Sequence, residues 1–174
     1  SKSSDPNNKG TDNLLKGISI FINKNKKFKI HLITFNYGLH MKASMQLINK
    51  LNIKENVTWF PVVSRKKILY AMYHSDVVCC EFDNRSWFTS GVIIEALTLS
   101  KVILTYRKDS FYLNYYKKLF YILNAKLPSE ISEKLNEYIR NKEVHENKSS
   151  FGSEWYDYNI VQNSLKHYIR YFKN

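Results

Sequence analysis

The sequence predicts a doubly wound α/β fold, a parallel sheet with helices on both faces. Three observations carry this. Apolar runs of six to eight residues alternate with segments of helical periodicity, the pattern of βαβ units. The runs FKIHLITF, VTWFPVV, DVVCCEF and KVILTY are largely continuous rather than alternating, as in strands covered on both faces. Each run ends in a polar or glycine-bearing stretch before the next helix begins.

In order along the chain, residues 1–9 are polar and irregular. Leu14, Leu15, Ile18, Phe21 and Ile22 recur at helical spacing, which predicts a helix over 11–23 with Thr11 or Asp12 as its cap. A strand follows at 28–35, then a loop with Gly38 as its flexible point. A helix is expected over 41–53, a strand over 57–63 ending at Pro61, and a helix over 64–75 capped by Ser64. A third strand spans 76–82, a helix 90–100, and a fourth strand 101–106. The last third is less regular. We expect a short strand at 119–123, a helix over 128–142, a linker at 146–154 and a final helix at 158–172.

The 174 residues suit one domain, and the 44% hydrophobic and 24% charged content exclude a disordered chain or a coiled coil. No apolar run reaches the ~18 residues of a membrane span, and the first residues contain no apolar signal core. Lys and Arg number 27 against 15 Asp and Glu, giving +12 and an isoelectric point near 9.6. Such a balance points to an anionic partner. The lysines are spread along the chain, which equally fits solubilising surface lysine in a Lys/Asn/Ile/Tyr-rich sequence. Cys79 and Cys80 are adjacent, so their side chains leave a strand on opposite faces and do not pair. Two buried thiols point to a reducing compartment such as the cytoplasm. The five histidines lie far apart, and no Cys/His cluster has zinc spacing.

In parallel sheets, ligands bind beyond the carboxyl ends of the strands. The most informative loop there runs from Glu81 into Ser90-Gly91. A helix start has free N–H groups and a positive dipole end that suit a phosphate, and Gly91 allows close approach. Glu95, one turn further on inside VIIEAL, is placed to accept hydrogen bonds from the diol of a ribose. An ordinary cap and a solvated glutamate would look the same in sequence. Lys9-Gly10, just before the first helix, is a second candidate for holding a diphosphate.

Together KGTDNLL (9–15), VTWFPVVSRKKILYAMYHSDVVC (57–79) and SGVIIEALTLSKVIL (90–104) resemble, in order and spacing, the nucleotide-sugar-binding half of retaining GT-B glycosyltransferases, in the large glycosyltransferase family 4 group. The resemblance covers residues 9–105 well and the C-terminal helices loosely. It implies a Rossmann-like domain forming the C-terminal half of a GT-B fold, the N-terminal acceptor domain lying outside this chain. The implied activity is hexosyl transfer from a UDP- or GDP-sugar to a glycan or lipid-linked glycan of the cell envelope, with no metal and no cofactor. Lys9, Ser90 and Gly91 would meet the donor diphosphate. Asn36, Gly38, Trp87 and Thr89 would face the sugar or its loop. Val62 and Val63 would edge the nucleobase, and Glu95 would hold the ribose.

Several positions depart from the family pattern. Trp87 stands where a first glutamate is usual, Pro61 replaces a glycine, and Ser4 replaces an arginine, with Lys2 nearby. SKSSDPNN occupies the place of an apolar first strand. These departures motivate an alternative, a non-catalytic scaffold on the same half-fold. A nucleic-acid-binding module is the other alternative, from the charge and the 15% aromatic content, although no RNP-like, helix-turn-helix or zinc-finger signature is present. The segment FYLNYYKKLFY (111–121) reads either as aromatic packing under the last helices, which we favour, or as an element resting on an anionic membrane.

Overall fold

The computed structural model describes residues 9–36, 41–83 and 90–172. Helix α1 (Thr11–Lys24) leads into β1 (Leu32–Phe35), α2 (Met41–Lys50), a 3-10 turn (Lys54–Asn56), β2 (Val57–Phe60), α3 (Arg65–His74) and β3 (Val77–Cys79). Then come α4 (Gly91–Thr98), β4 (Val102–Thr105), a short α5 (Asp109–Tyr112) and β5 (Leu123–Asn124). The chain ends in α6 (Pro128–Arg140), α7 (Lys142–Ser149), α8 (Gly152–Tyr156), a π-helical turn (Asp157–Gln162) and α9 (Asn163–Phe172).

All strand pairs are parallel. They form two pieces, β1 beside β2, and β3-β4-β5 with β4 central. Two apolar clusters lie on opposite faces. One joins Leu15, Ile18 and Phe21 of α1 to Ile48, Val102, Leu104 and Ile131. The other joins Ile93, Ala96 and Leu97 of α4 to Val78, Ile103, Phe120 and Trp155, with Met72 of α3 against it. Leu104 and Ile103 thus point to opposite sides, as successive strand residues must, and the doubly wound α/β fold stands.

Helices α1 and α6 come closer than side chains normally permit. A Cβ on Gly17 would lie 2.6 Å from Cγ2 of Ile131 and 3.0 Å from the carbonyl of Pro128. Only glycine fits that crossing. Helix α6 starts with Pro128, and its Glu130 carboxylate accepts from the backbone N–H of Lys126 (2.8 Å) and Leu127 (3.0 Å). Those bonds hold the Glu130 carboxyl below its ordinary range.

Some sequence expectations are corrected. The stretch 146–154 is not a linker; it lies in α7 and α8. Its anchors are long-range: His145 bonds Tyr121 and the Glu137 carbonyl, and Trp155 donates from Nε1 to the carbonyl of Lys118 at 2.6 Å. The first strand is shorter than 28–35, because only 32–35 pair with β2. The fifth begins at Leu123, since Phe120 and Ile122 are buried as a loop. Both faces are covered fully only at β4; Ile33 (45% exposed) and Phe60 (43%) leave one face of β1–β2 open. Neither Thr11 nor Asp12 caps α1. Gly10 does, in the left-handed conformation with φ +77°. Cys79 and Cys80 are free, as expected, but half-buried rather than fully buried.

The packing reading of segment 111–121 holds for part of it. Tyr112, Tyr116, Leu119 and Phe120 pack in the second cluster, while Phe111, Leu113 and Tyr115 are exposed.

Candidate functional site at the carboxyl ends of the strands

Parallel strands put all their carboxyl ends on one side, so the loops after β1, β2 and β3 share an edge with the starts of α1, α3 and α4. The Lys9-Gly10 turn joins that edge directly. Phe82, just after β3, donates from its backbone N to the carbonyl of Lys9 at 2.8 Å. A Cβ on Gly10 would lie 2.7 Å from the carbonyl carbon of Phe82. The positive φ and this contact both require glycine. The turn therefore lies flat on the chain leaving β3.

That contact brings Lys9 to a residue the sequence reading did not single out. Lys9 Nζ lies 2.7 Å from Oε1 of Glu81, whose side chain is 7% exposed against 64% for the lysine. Glu81 is set by β4: its backbone N–H donates to Thr105 Oγ1 at 3.2 Å, and its carbonyl accepts from Thr105 Oγ1 (2.7 Å) and from the Tyr106 N–H (2.8 Å). A carboxylate ending an apolar strand, in CCEF, was the available signal. Next to it, burial pushes the Cys79 thiol up to about 12. Burial raises Cys80 as well, helped by Cys79 and Glu81 and opposed by Lys9. Both thiols stay protonated and poorly nucleophilic.

A second ion pair joins β2's exit to α4. Arg65 Nε lies 2.8 Å from Oε1 of Glu95; the glutamate side chain is 13% exposed and the arginine 74%. Arg65 opens α3 immediately after Val62, Val63 and Ser64. Val62 is exposed and Val63 half-buried. Glu95 is therefore neither a free surface carboxylate nor a core residue, but sits under the β2–α3 turn. Sequence spacing brought out Glu95 and missed Arg65, because 30 positions separate them.

Ser90 is the N-cap of α4, its Oγ accepting from the N–H of Ile93 at 3.4 Å. The preceding first-turn N–H groups have no intrahelical acceptor. Among the described residues nothing lies within 4 Å of where a Gly91 Cβ would be. Asn36 extends the β1–β2 ladder by one residue, its N–H donating to the Phe60 carbonyl at 2.7 Å. Gly38, Trp87 and Thr89 lie outside the described residues. Among the described residues no three His, Cys, Asp or Glu side chains gather as a metal site.

This edge thus contains a mostly buried carboxylate paired with an arginine, a lysine tethered by a second carboxylate, and a helix start capped by Ser90. Residues 3–155 match the family model of glycosyl transferases group 1. The chain belongs to that family. A search of curated proteins gave no match.

Solved structures of similar fold agree with this group 1 assignment. The C-terminal domain of a glycosyl transferase group 1 family protein, LpcC from Francisella tularensis, aligns with TM-score 0.66 at 14% identity, covering 90% of this chain and 83% of that one. TarM of S. aureus, in complex with Fondaparinux, alpha-GlcNAc-glycerol and UDP, aligns with TM-score 0.72 at 13% identity over 98% of this chain and 34% of that one. HepE of Anabaena, in complex with UDP and glucose, aligns with TM-score 0.60 at 11% identity over 88% and 52%. At such identities the likeness establishes the fold. This chain spans about a third of the TarM chain and about half of the HepE chain.

Proposed function

We propose that this group 1 glycosyltransferase chain is the donor-binding domain of its enzyme and holds a nucleoside-diphosphate sugar at the carboxyl edge of the sheet. The observation that supports the reading is the Arg65–Glu95 pair, which ties the ribose candidate to the first residue of α3, two positions after the nucleobase candidate Val63. The ribose diol would donate to the Glu95 carboxylate. The diphosphate would lie toward Ser90, Gly91 and the α4 start, within reach of the exposed Lys9 ammonium. Asn36, with Gly38, Trp87 and Thr89, would border the sugar.

In this reading the chain neutralises the leaving diphosphate with a lysine and helix-start N–H groups, preorganised charge that requires no metal. Glu81 tethers the exposed Lys9 at this edge. The finer claims, a retaining hexosyl transfer, a UDP or GDP base and a glycan or lipid-linked acceptor of the cell envelope, follow the family resemblance. So does a cytoplasmic site of action. The acceptor would come from a separate N-terminal domain, a view supported by the one-third and one-half coverage of TarM and HepE. The nucleic-acid module is not favoured, since the family match spans 3–155.

Calorimetric or NMR titration of the 174-residue chain with UDP, GDP and ADP tests the reading. Binding of at least one nucleoside diphosphate at millimolar levels or below, with shifts at the α4 start and the β2–α3 turn, is expected. No heat and no shifts with any of them would overturn it.

A further inference from the structure

The surplus charge is not evenly spread. Residues 13–75 contain eleven Lys and Arg against a single acid, Glu55, and so account for +10 of the net +12. The lysines are dispersed along the sequence; the acids are not. The fold then gathers part of this surplus at one end. Lys24 closes α1, and Lys26, Lys27 and Lys29 lie in the connection from α1 to β1. Lys50 closes α2, and Lys54 opens the 3-10 turn before β2. Since β1 and β2 are parallel neighbours, both connections emerge at the amino ends of the strands. They are tied together there, Asn56 Nδ2 donating to the Ile30 carbonyl at 3.0 Å.

All six lysines are exposed, and among the described residues none is ion-paired. Lys9, Lys16, Lys134 and Lys142, by contrast, each have a carboxylate. Within the two connections, residues 24–30 and 50–56, the single acid is Glu55; Asp76, at the amino end of β3, is paired with Lys142. In their midst a turn closed by the Phe28 N–H on the Asn25 carbonyl (3.1 Å) presents Phe28, 51% exposed.

We propose that the amino-end surface formed by Lys24, Lys26, Lys27, Lys29, Lys50 and Lys54 around Phe28 docks this chain on an anionic lipid bilayer face. The charge is complementary to acidic headgroups, and clusters of four to eight lysines suffice for such attraction. One aromatic side chain flanked by ammonium groups matches the boundary between headgroups and acyl chains. A single-stranded nucleic acid would instead require a row of stacking aromatics along a groove, and the two lysine-bearing connections, residues 24–30 and 50–56, supply Phe28 alone. Docking here leaves the opposite, carboxyl edge open to a water-soluble ligand. The proposal does not depend on what that edge binds.

Co-sedimentation with vesicles is the test, using phosphatidylcholine alone and phosphatidylcholine mixed with phosphatidylglycerol. The chain should bind the mixed vesicles and not the neutral ones, and added salt should release it. Replacing Lys24, Lys26, Lys27 and Lys29 together by Ser should lower partitioning at least about a hundredfold, at roughly fivefold per lysine. Phe28→Ser should lower it by about tenfold. Lys117→Ser with Lys118→Ser, in the aromatic segment 111–121, should leave it unchanged. Circular dichroism melts establish that each variant is folded. Equal binding to neutral vesicles, no binding to either, parent-like binding by the fourfold variant, or loss in the Lys117/Lys118 variant would overturn the proposal. So would tighter binding to a single-stranded oligonucleotide than to the mixed vesicles.

Discussion

Arg65 Nε and Glu95 Oε1 meet at 2.8 Å across the gap between the start of α3 and the first turn and a half of α4. The contact converts two helices on the same face of the sheet into one binding edge. A mostly buried carboxylate is oriented by a guanidinium that itself remains in solvent. Because Arg65 is 74% exposed, the pair contributes little to folding. Its value lies in geometry.

Glu95→Gln keeps the shape of the side chain and removes its charge. A hydrogen bond to a charged group is worth roughly 1.5–3 kcal/mol, so nucleoside-diphosphate binding should weaken by about tenfold or more. Free nucleosides should lose as much, because the partner is ribose. Lys9→Ala should weaken diphosphates more than nucleosides. Calorimetric titration of both variants with uridine and UDP, or guanosine and GDP, separates the two roles; equal losses in Lys9→Ala would remove the lysine from the phosphate.

Arg65→Ala should leave the melting midpoint within experimental error and weaken nucleoside binding several-fold, because Glu95 loses the group that orients it. If binding tightens instead, Arg65 competes with the ligand for the carboxylate rather than positioning it.

The glycines separate stability from binding. Gly17→Ala places a methyl group 2.6 Å from Ile131 and 3.0 Å from the Pro128 carbonyl. Such overpacking should destabilise by about 1–3 kcal/mol, read as a lowered urea midpoint. Gly91→Ala meets nothing among the described residues and should leave the midpoint unchanged or slightly raised. It should still weaken diphosphate binding, since the added methyl stands over the helix start. A Gly91→Ala variant that binds UDP and GDP like the parent would take the phosphate away from that position.

Stability should fall in alkali. Burial raises the Cys79 thiol from 9.0 to about 12, and burial is also the leading cause raising Cys80, Tyr116, Tyr121 and Tyr138. Between the unfolded and folded values the native state holds more protons than the unfolded one, so stability declines as pH rises. The thiol contribution is complete below pH 9 and is lost progressively toward about 12. Urea melts at neutral pH and above 9 should show it. In the native state both cysteines should resist iodoacetamide near neutrality because their thiols stay protonated, and rapid labelling of the folded chain would contradict that.

Much of this molecule follows from local pattern. The alternation of apolar runs with helical spacing placed α1 through β4 within a few residues, because binary patterning is read segment by segment. The Lys9-Gly10 turn, the Ser90 cap and Glu95 were found in the same way, each at the junction of two such segments. What the tertiary structure alone decided is pairing over distance. Glu81 with Lys9 spans 72 positions, and Arg65 with Glu95 spans 30. Residues 146–154, polar enough to pass for a linker, are held helical between His145 on Tyr121 and Trp155 on Lys118. The dispersed lysines become a single face only because two parallel strands deliver their connections to the same end. In each case the deciding energy comes from groups remote in sequence, and the periodicity of a short segment contains no information about which remote group it will meet.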